Sequence, residues 1–241
     1  MDITIISSVY NEKGNLIPLV EAVDNEMEKY PYVSDWEYIL VDDASTDGSW
    51  QIMQKLADRS PQYVRLFRHQ NRRGQKGGFM TGFANARGKW SILMDADLQV
   101  LPSELPLLLD KAVKEGYEMV CTYNDSERGG KRQSLVSRIG NLFMKAFFQS
   151  PVRDAGGNFM ALQTRYIRGV NLVANDQRYL LPICMGRGLK KIGEVGCVFG
   201  ERVYGTSKYS KGKKMLQGVP EMWALKRRLN AGFYTLPPIL Q

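Results

Sequence analysis

The chain is expected to be an α/β protein: a mostly parallel, Rossmann-like sheet with helices on both faces, followed by a basic C-terminal amphipathic helix. Three observations lead there. Apolar β-rich runs alternate with segments of helical spacing through the first 125 residues. Three of the predicted strands end in polar or acidic clusters. Of the net charge of +8, +6 falls in residues 201–241, where eight Lys/Arg stand against two Glu. With 241 residues, 44% of them apolar, one compact domain with a real core is expected. The body is assigned to 1–212 and the basic appendage to 213–241.

The elements follow in order. Ile3–Val9 reads as a strand, and Gly14–Tyr30 as a helix with Leu16, Leu19, Val20, Val23 and Met27 on one side. Trp36–Val41 is a buried strand running into Asp42 and Asp43. Thr46–Leu56 is a helix, with Asp47 as a helix-capping acid. Tyr63–Phe67 is a strand, Gln75–Ala86 a helix, and Trp90–Met94 a strand that ends in Asp95-Ala96-Asp97. Ser103–Lys114 is a helix with Ser103 as its N-cap, and Glu118–Tyr123 a strand. The second half is less regular. It holds a helix over Ser134–Phe148 and short strands over Asn158–Leu162 and Val195–Phe199.

Several chemistries are excluded. No window approaches the roughly 18 apolar residues of a membrane span, and no signal-peptide pattern opens the chain. Three widely spaced cysteines make no disulfide scaffold and no zinc pair. The single histidine, His69, argues against a histidine-ligated metal or a Ser-His triad, and reads as a loop residue. A P-loop is missing, as is a GxGxxG after the first strand. Gly74-x-x-Gly77-Gly78 opens a helix and could approach a phosphate. Nucleic-acid binding is not expected despite a pI near 9.3, because no recognition motif is present and an acidic sheet edge would repel it.

The acidic strand ends carry the chemistry. In open α/β sheets ligands bind outside the carboxyl ends of the strands. Tyr10-Asn11-Glu12, Asp42-Asp43 and Asp95-Ala96-Asp97-Leu98-Gln99 should therefore gather at one edge. Clustered carboxylates repel one another, and a divalent cation relieves that. Asp95, Asp97 and Gln99 alternate, so in extended backbone they share a face and offer hard oxygen ligands for Mg²⁺ or Mn²⁺.

At these residues the sequence resembles family 2 glycosyltransferases of the GT-A fold. Val9-Tyr10-Asn11-Glu12, Val41-Asp42-Asp43-Ala44-Ser45-Thr46-Asp47-Gly48 and Met94-Asp95-Ala96-Asp97-Leu98-Gln99 occur in the family's order. Asn71-Arg72-Arg73-Gly74, Ala84-x-Ala86-Arg87-Gly88, Ser137-Arg138-x-Gly140-Asn141 and Arg202-x-Tyr204-Gly205-x-Ser207-Lys208-Tyr209 narrow the resemblance. They are similar to the polyprenyl-phosphate and dolichyl-phosphate sugar transferases. The resemblance implies that Tyr10, Glu12 and Asp42 hold the base and ribose of a UDP- or GDP-linked sugar. Asp95, Ala96 and Asp97 would meet the ribose and diphosphate, and Asp95, Asp97 and Gln99 the metal. Arg202 and Lys208 would lie on a loop closing over the diphosphate, and Arg128 and Arg138 would face the acceptor phosphate. Asp97, Asp154 and Arg202 would be the catalytic residues of an inverting single displacement. Asp154 could equally belong to a structural turn with Arg153. Where relatives carry proline before the residue preceding Tyr-Asn-Glu, this chain has Ser8, and Val100-Leu101-Pro102 follows the metal motif.

The resemblance and the residues agree on the acceptor. A polyprenyl phosphate has a second pKa of about 6 and is already a nucleophile at neutral pH, so no catalytic base is required. The competing reading is a family 2 enzyme acting on a glycan or glycolipid hydroxyl. It needs a carboxylate base from a region that is here poor in acids and rich in arginine. The C-terminal segment has two readings. Met222, Leu225 and Leu229 with Lys226, Arg227 and Arg228 suit an anionic membrane surface, as would a peripheral protein on the cytoplasmic face. Alternatively that face packs on the domain or on a second copy of the chain.

Overall fold

The computed structural model describes residues 1–129, 135–154, 157–200 and 211–235. One seven-stranded sheet organises the chain, in the order β3-β2-β1-β4-β6-β5-β7. The strands are β1 (Ile3–Val9), β2 (Trp36–Asp42), β3 (Val64–Arg68), β4 (Trp90–Leu93), β5 (Met119–Asn124), β6 (Met160–Gln163) and β7 (Ile192–Cys197). Helices α1 (Lys13–Lys29), α2 (Ser49–Arg59) and α3 (Gly74–Asn85) connect the first four strands. All pairs are parallel except those of β6, which runs antiparallel to both β4 and β5. The expected α/β architecture is therefore present, with one reversed strand inside it.

Alternation along the strands builds two cores. On β1 and β2, Ile3, Ile5, Val9, Tyr38 and Leu40 face one side, with α1 and α2. Ile6, Ile39 and Val41 face the other, with Phe79 and Phe83 of α3. Buried polar groups on β1 are paired: Thr4 Oγ1 donates to Glu37 at 2.7 Å, and Ser7 Oγ to the Met94 carbonyl at 2.6 Å. Helix α3 lies very close to β1. A Cβ at Gly78 would stand 2.1 Å from Ser8 Oγ, and one at Gly82 2.3 Å from Ile6 Cγ2. These glycines serve helix–strand contact.

Several sequence expectations are corrected. Ser103 does not cap a helix. It lies inside a 3₁₀ turn, Pro102–Glu104, which leads into α4 (Leu105–Leu109) and a wider π turn, Asp110–Lys114. Helix α5 spans Leu135–Phe148, as expected. Helix α6 (Leu180–Gly186) was not foreseen, because LLPICMG is a short apolar run without helical spacing. Helix α7 runs from Lys211 to Asn230 with Pro220 in its interior rather than at its start. Of the two readings of its apolar face, packing on the domain is the one observed. Met222 and Leu225 are buried in the second core, with Leu229 against it. Glu221 receives hydrogen bonds from Asn175, Arg178 and Tyr179, and Arg228 pairs with buried Asp176.

Candidate active site at the carboxyl edge of the sheet

Strand register gathers the site. Val9 pairs with Asp42 and Asp42 with Arg68, while Ile6 pairs with Leu93. The residues following β1, β2, β3 and β4 therefore emerge side by side. Because β6 is antiparallel, with Met160 opposite Leu93, the segment before β6 enters the same edge. Asn158 Nδ2 thus reaches Asp95 Oδ2 at 3.3 Å.

The backbone turns abruptly there. Asn11, Ala44 and Leu98 have φ of 56°, 61° and 56°, each just beyond a strand of this edge. For Ala and Leu the left-handed region costs roughly 1–2 kcal/mol, and such strain concentrates at functional sites. Leu98 corrects the argument from extended alternation. β4 ends at Leu93, and the chain turns at Ala96 and Asp97, so Asp95, Asp97 and Gln99 share a turn rather than one face of a strand. Asp97 is buried, and its Oδ1 accepts from the Gln99 amide at 3.1 Å.

Each expected residue can be placed. The Tyr10 ring lies under the Arg72 guanidinium, whose carbon is 3.9 Å from the ring centroid. Glu12 Oε2 accepts from Asn15 at 2.7 Å, and its amide donates to Ser49 Oγ at 2.9 Å. Asp42 is fully buried and accepts from Arg68 Nε at 3.1 Å and the Ser45 amide at 3.3 Å. Asp95 is held through both oxygens, by Gln75 Nε2 at 2.7 Å and by Asn158. Asp47 caps the start of α2 through Ser49 as expected. Burial alone would raise its pKa, but donors from Ser49 and the Lys13 amide outweigh that and lower it.

The arginines separate. Arg128 forms a two-pronged ion pair with Glu104, at 2.9 and 3.2 Å, and donates to the Gly196 carbonyl at 2.7 Å. That pairing holds its pKa above the ordinary guanidinium range. Three of the five guanidinium donors are thereby engaged. Arg138 is exposed on α5. Asp154 is half-buried, next to a turn in which Arg153 pairs with Glu194 at 2.9 Å and covers the Tyr123 ring. Arg202 and Lys208 lie outside the described residues.

Two residues at this edge have buried partners that the sequence does not show. Asp43 is buried and accepts from the amides of Arg73 and Gly74 at 2.7 and 2.8 Å. The Arg73 and Gly74 amides at the start of α3 are therefore already taken by a carboxylate. His69 is not an ordinary loop residue. It is buried, with Nδ1 2.9 Å from Asp43 Oδ1 and Nε2 2.9 Å from Thr81 Oγ1.

Among the described residues no group of three His, Cys, Asp or Glu side chains forms a metal cluster. The expected set has only two carboxylates plus the Gln99 amide. That number still suits Mg²⁺ or Mn²⁺, which commonly take one or two protein carboxylates and complete their shell with water and substrate phosphate.

Comparison with known proteins settles the family. The model of glycosyl transferase family 2 matches residues 4–169. The chain belongs to glycosyl transferase family 2. It is 30% identical over 209 residues to an undecaprenyl-phosphate 4-deoxy-4-formamido-L-arabinose transferase of Pectobacterium atrosepticum, covering 87% of this chain and 63% of that one. It is 29% identical over 237 residues to a dolichol-phosphate mannosyltransferase of Pyrococcus furiosus, covering 94% and 64%. The chain thus spans just under two thirds of the length of either relative. Its fold matches a mannosyltransferase of Pyrobaculum calidifontis in complex with GDP-Man and Mn²⁺, with a TM-score of 0.63, 19% identity, and 94% and 64% coverage. It also matches mannosyl-3-phosphoglycerate synthase of Rubrobacter xylanophilus, with a TM-score of 0.69, 14% identity, and 96% and 75% coverage. The GT-A fold expected from the strand-end motifs is the fold that the chain shares with these solved glycosyltransferase structures.

Proposed function

We propose that this family 2 protein transfers a sugar, with inversion, from a UDP- or GDP-sugar to a polyprenyl phosphate, using Mg²⁺ or Mn²⁺. One observation carries the reading. The stacked Tyr10–Arg72 pair, buried Asp42 and the doubly held Asp95 meet at the carboxyl edge of the sheet. Their order suits base, ribose and diphosphate in turn. The two relatives, whose names specify undecaprenyl phosphate and dolichol phosphate, support the acceptor class.

The residues divide the work. Tyr10 and Arg72 offer a flat platform for a base, and Glu12 and Asp42 offer acceptors for sugar hydroxyls. Asp95, Asp97 and Gln99 would hold the metal, which when bound supplies positive charge at the diphosphate. Gln75 and Asn158 keep the Asp95 carboxylate aimed. The acceptor phosphate needs no deprotonation, so the chain's task is to bring two anions together, with Arg138, Arg128, Arg202 and Lys208 reducing their repulsion. The test is a panel of UDP- and GDP-sugars with Mn²⁺, read by thermal shift, then transfer to a short polyprenyl phosphate. At 100 times Kd, a binding donor stabilises the fold by about 2.7 kcal/mol. Transfer to a sugar hydroxyl in preference to the phosphate would overturn the reading.

A lipid acceptor calls for a membrane surface, and α5 offers one. Leu142 and Phe143 are 69% and 43% exposed, and Trp223 of α7 is 58% exposed. Phe147 joins them, stacked on Phe143 and edge-on to Trp223. Helix α5 contains no acidic residue, and Arg138, Lys145 and Arg227 are exposed on these two helices. An apolar strip with cations and few acids suits an anionic bilayer. The membrane face is thus assigned to α5 and Trp223, in place of the Met222–Leu225 face that the domain buries. No helix of the described residues is long and apolar enough to cross a membrane. Wild-type protein should float with anionic vesicles, and Leu142→Glu/Phe143→Glu should lose most of that binding while keeping its melting temperature. Equal flotation of both proteins would refute the assignment.

A further inference from the structure

We propose that His69 and Asp43 form a positioning hub that sets both ends of the donor site at once. The inference rests on the donor-site reading of Tyr10 and Asp95. The Asp43 carboxylate is 1% exposed and lies at the centre of four groups. Oδ1 accepts from His69 Nδ1 at 2.9 Å and from the Arg73 amide at 2.7 Å, while Oδ2 accepts from the Gly74 amide at 2.8 Å. Arg72 Nε stands 4.0 Å from Oδ2. A carboxylate oxygen can only accept, so Nδ1 of His69 carries its hydrogen. The other ring nitrogen meets Thr81 Oγ1, one turn and more along α3, and the His69 amide donates to the Asp42 carbonyl at 2.9 Å.

These bonds clamp the segment from His69 to Gly74 at both ends. The two residues that matter for the donor are carried by that clamp. Arg72, inside it, covers Tyr10. Gln75, immediately after it, donates to Asp95. The base-side platform and the diphosphate-side carboxylate therefore share one support: Asp43 meets Arg72 directly, at 4.0 Å, and reaches Asp95 only through the segment that carries Gln75. Removing the imidazole takes away the side-chain donor to Asp43 and the tie to α3. The two amide donors remain, so the helix start persists while the clamp loosens. The expected consequence is weaker donor binding rather than slower chemistry once donor is bound.

The experiment is calorimetry of UDP and of GDP with Mn²⁺, beside melting temperature and transfer kinetics, on the full chain. His69→Leu should weaken the preferred nucleotide about tenfold, with kcat at saturating donor little changed. His69→Asn, whose side-chain amide can still donate to Asp43, should recover most of that loss. Thr81→Val, which cuts only the second tie, should cost about threefold, and it keeps the test decisive should His69→Leu fail to fold. Tyr10→Ala is the control on the donor-site reading. If Tyr10→Ala weakens binding while His69→Leu and Thr81→Val leave Kd unchanged, the hub is wrong and the donor site stands. A lower binding stoichiometry at unchanged Kd would mark a merely structural role and overturn it likewise. If Tyr10→Ala also binds normally, the donor-site reading falls and the hub with it.

Discussion

Asp97→Asn should lower sugar transfer by about 10²–10³-fold, the range seen when a single group that stabilises transition-state charge is removed, with little change in melting temperature. The asymmetry comes from the turn. Asp97 accepts from the Gln99 amide through Oδ1, and an asparagine oxygen can accept the same bond. Shape and turn survive, while a charge is lost from a carboxylate that is 6% exposed and belongs to the expected metal set. Mn²⁺-dependent nucleotide binding, followed by calorimetry, should fall together with transfer. Near-normal transfer that no longer depends on metal would remove Asp97 from the metal set. Asp95→Asn is a poorer probe. Both Asp95 oxygens receive amide hydrogens, from Gln75 and Asn158, so an amide there turns a donor toward a donor unless its neighbours move.

Much of this site was legible because its residues sit at the ends of apolar runs. β1, β2 and β4 are short, strongly apolar or β-branched segments, and the polar residues that follow them are exceptions to the burial pattern. Their convergence on one edge follows from parallel pairing alone. What the sequence hides is long-range or conformational. β6 reads as a strand, but nothing in a run of three apolar residues and a glutamine specifies that it inserts antiparallel between β4 and β5. That inversion brings Asn158 to Asp95. The left-handed turn at Leu98 is hidden for a different reason, since leucine carries no turn signal. The burial of the loop residue His69 is hidden because its partners, Asp43 and Thr81, lie 26 and 12 residues away and become neighbours only once β2, β3 and α3 are assembled. Arg128 is the converse case. Its basic loop was visible, but the buried Glu104 that engages it was not.

That difference decides which arginine tests the acceptor. Arg128→Ala would leave Glu104, 7% exposed, without its cation, so lost activity could reflect damage between the Pro102–Glu104 turn and β5 rather than lost phosphate contact. Arg138 is exposed on α5, beside the apolar strip proposed to meet the bilayer, and its removal should leave the fold intact. If it grips the lipid phosphate, Arg138→Ala forfeits a charge-assisted contact worth roughly 1.5–3 kcal/mol, a loss of about ten- to a hundredfold in kcat/KM for the acceptor. Nucleotide binding, proposed for Tyr10, Glu12 and Asp42 at the strand ends, should barely change. Arg138→Lys should rescue only part of the loss, because a point charge does not reproduce a planar two-pronged donor. The measurement is transfer at saturating donor with varied polyprenyl phosphate, on vesicles and in detergent. A defect confined to vesicles would assign Arg138 to membrane attachment, whereas a defect in both would assign it to the phosphate. Unchanged acceptor kinetics in both settings would remove Arg138 from the acceptor site and leave Arg128, together with Arg202 and Lys208 outside the described residues, to carry that charge.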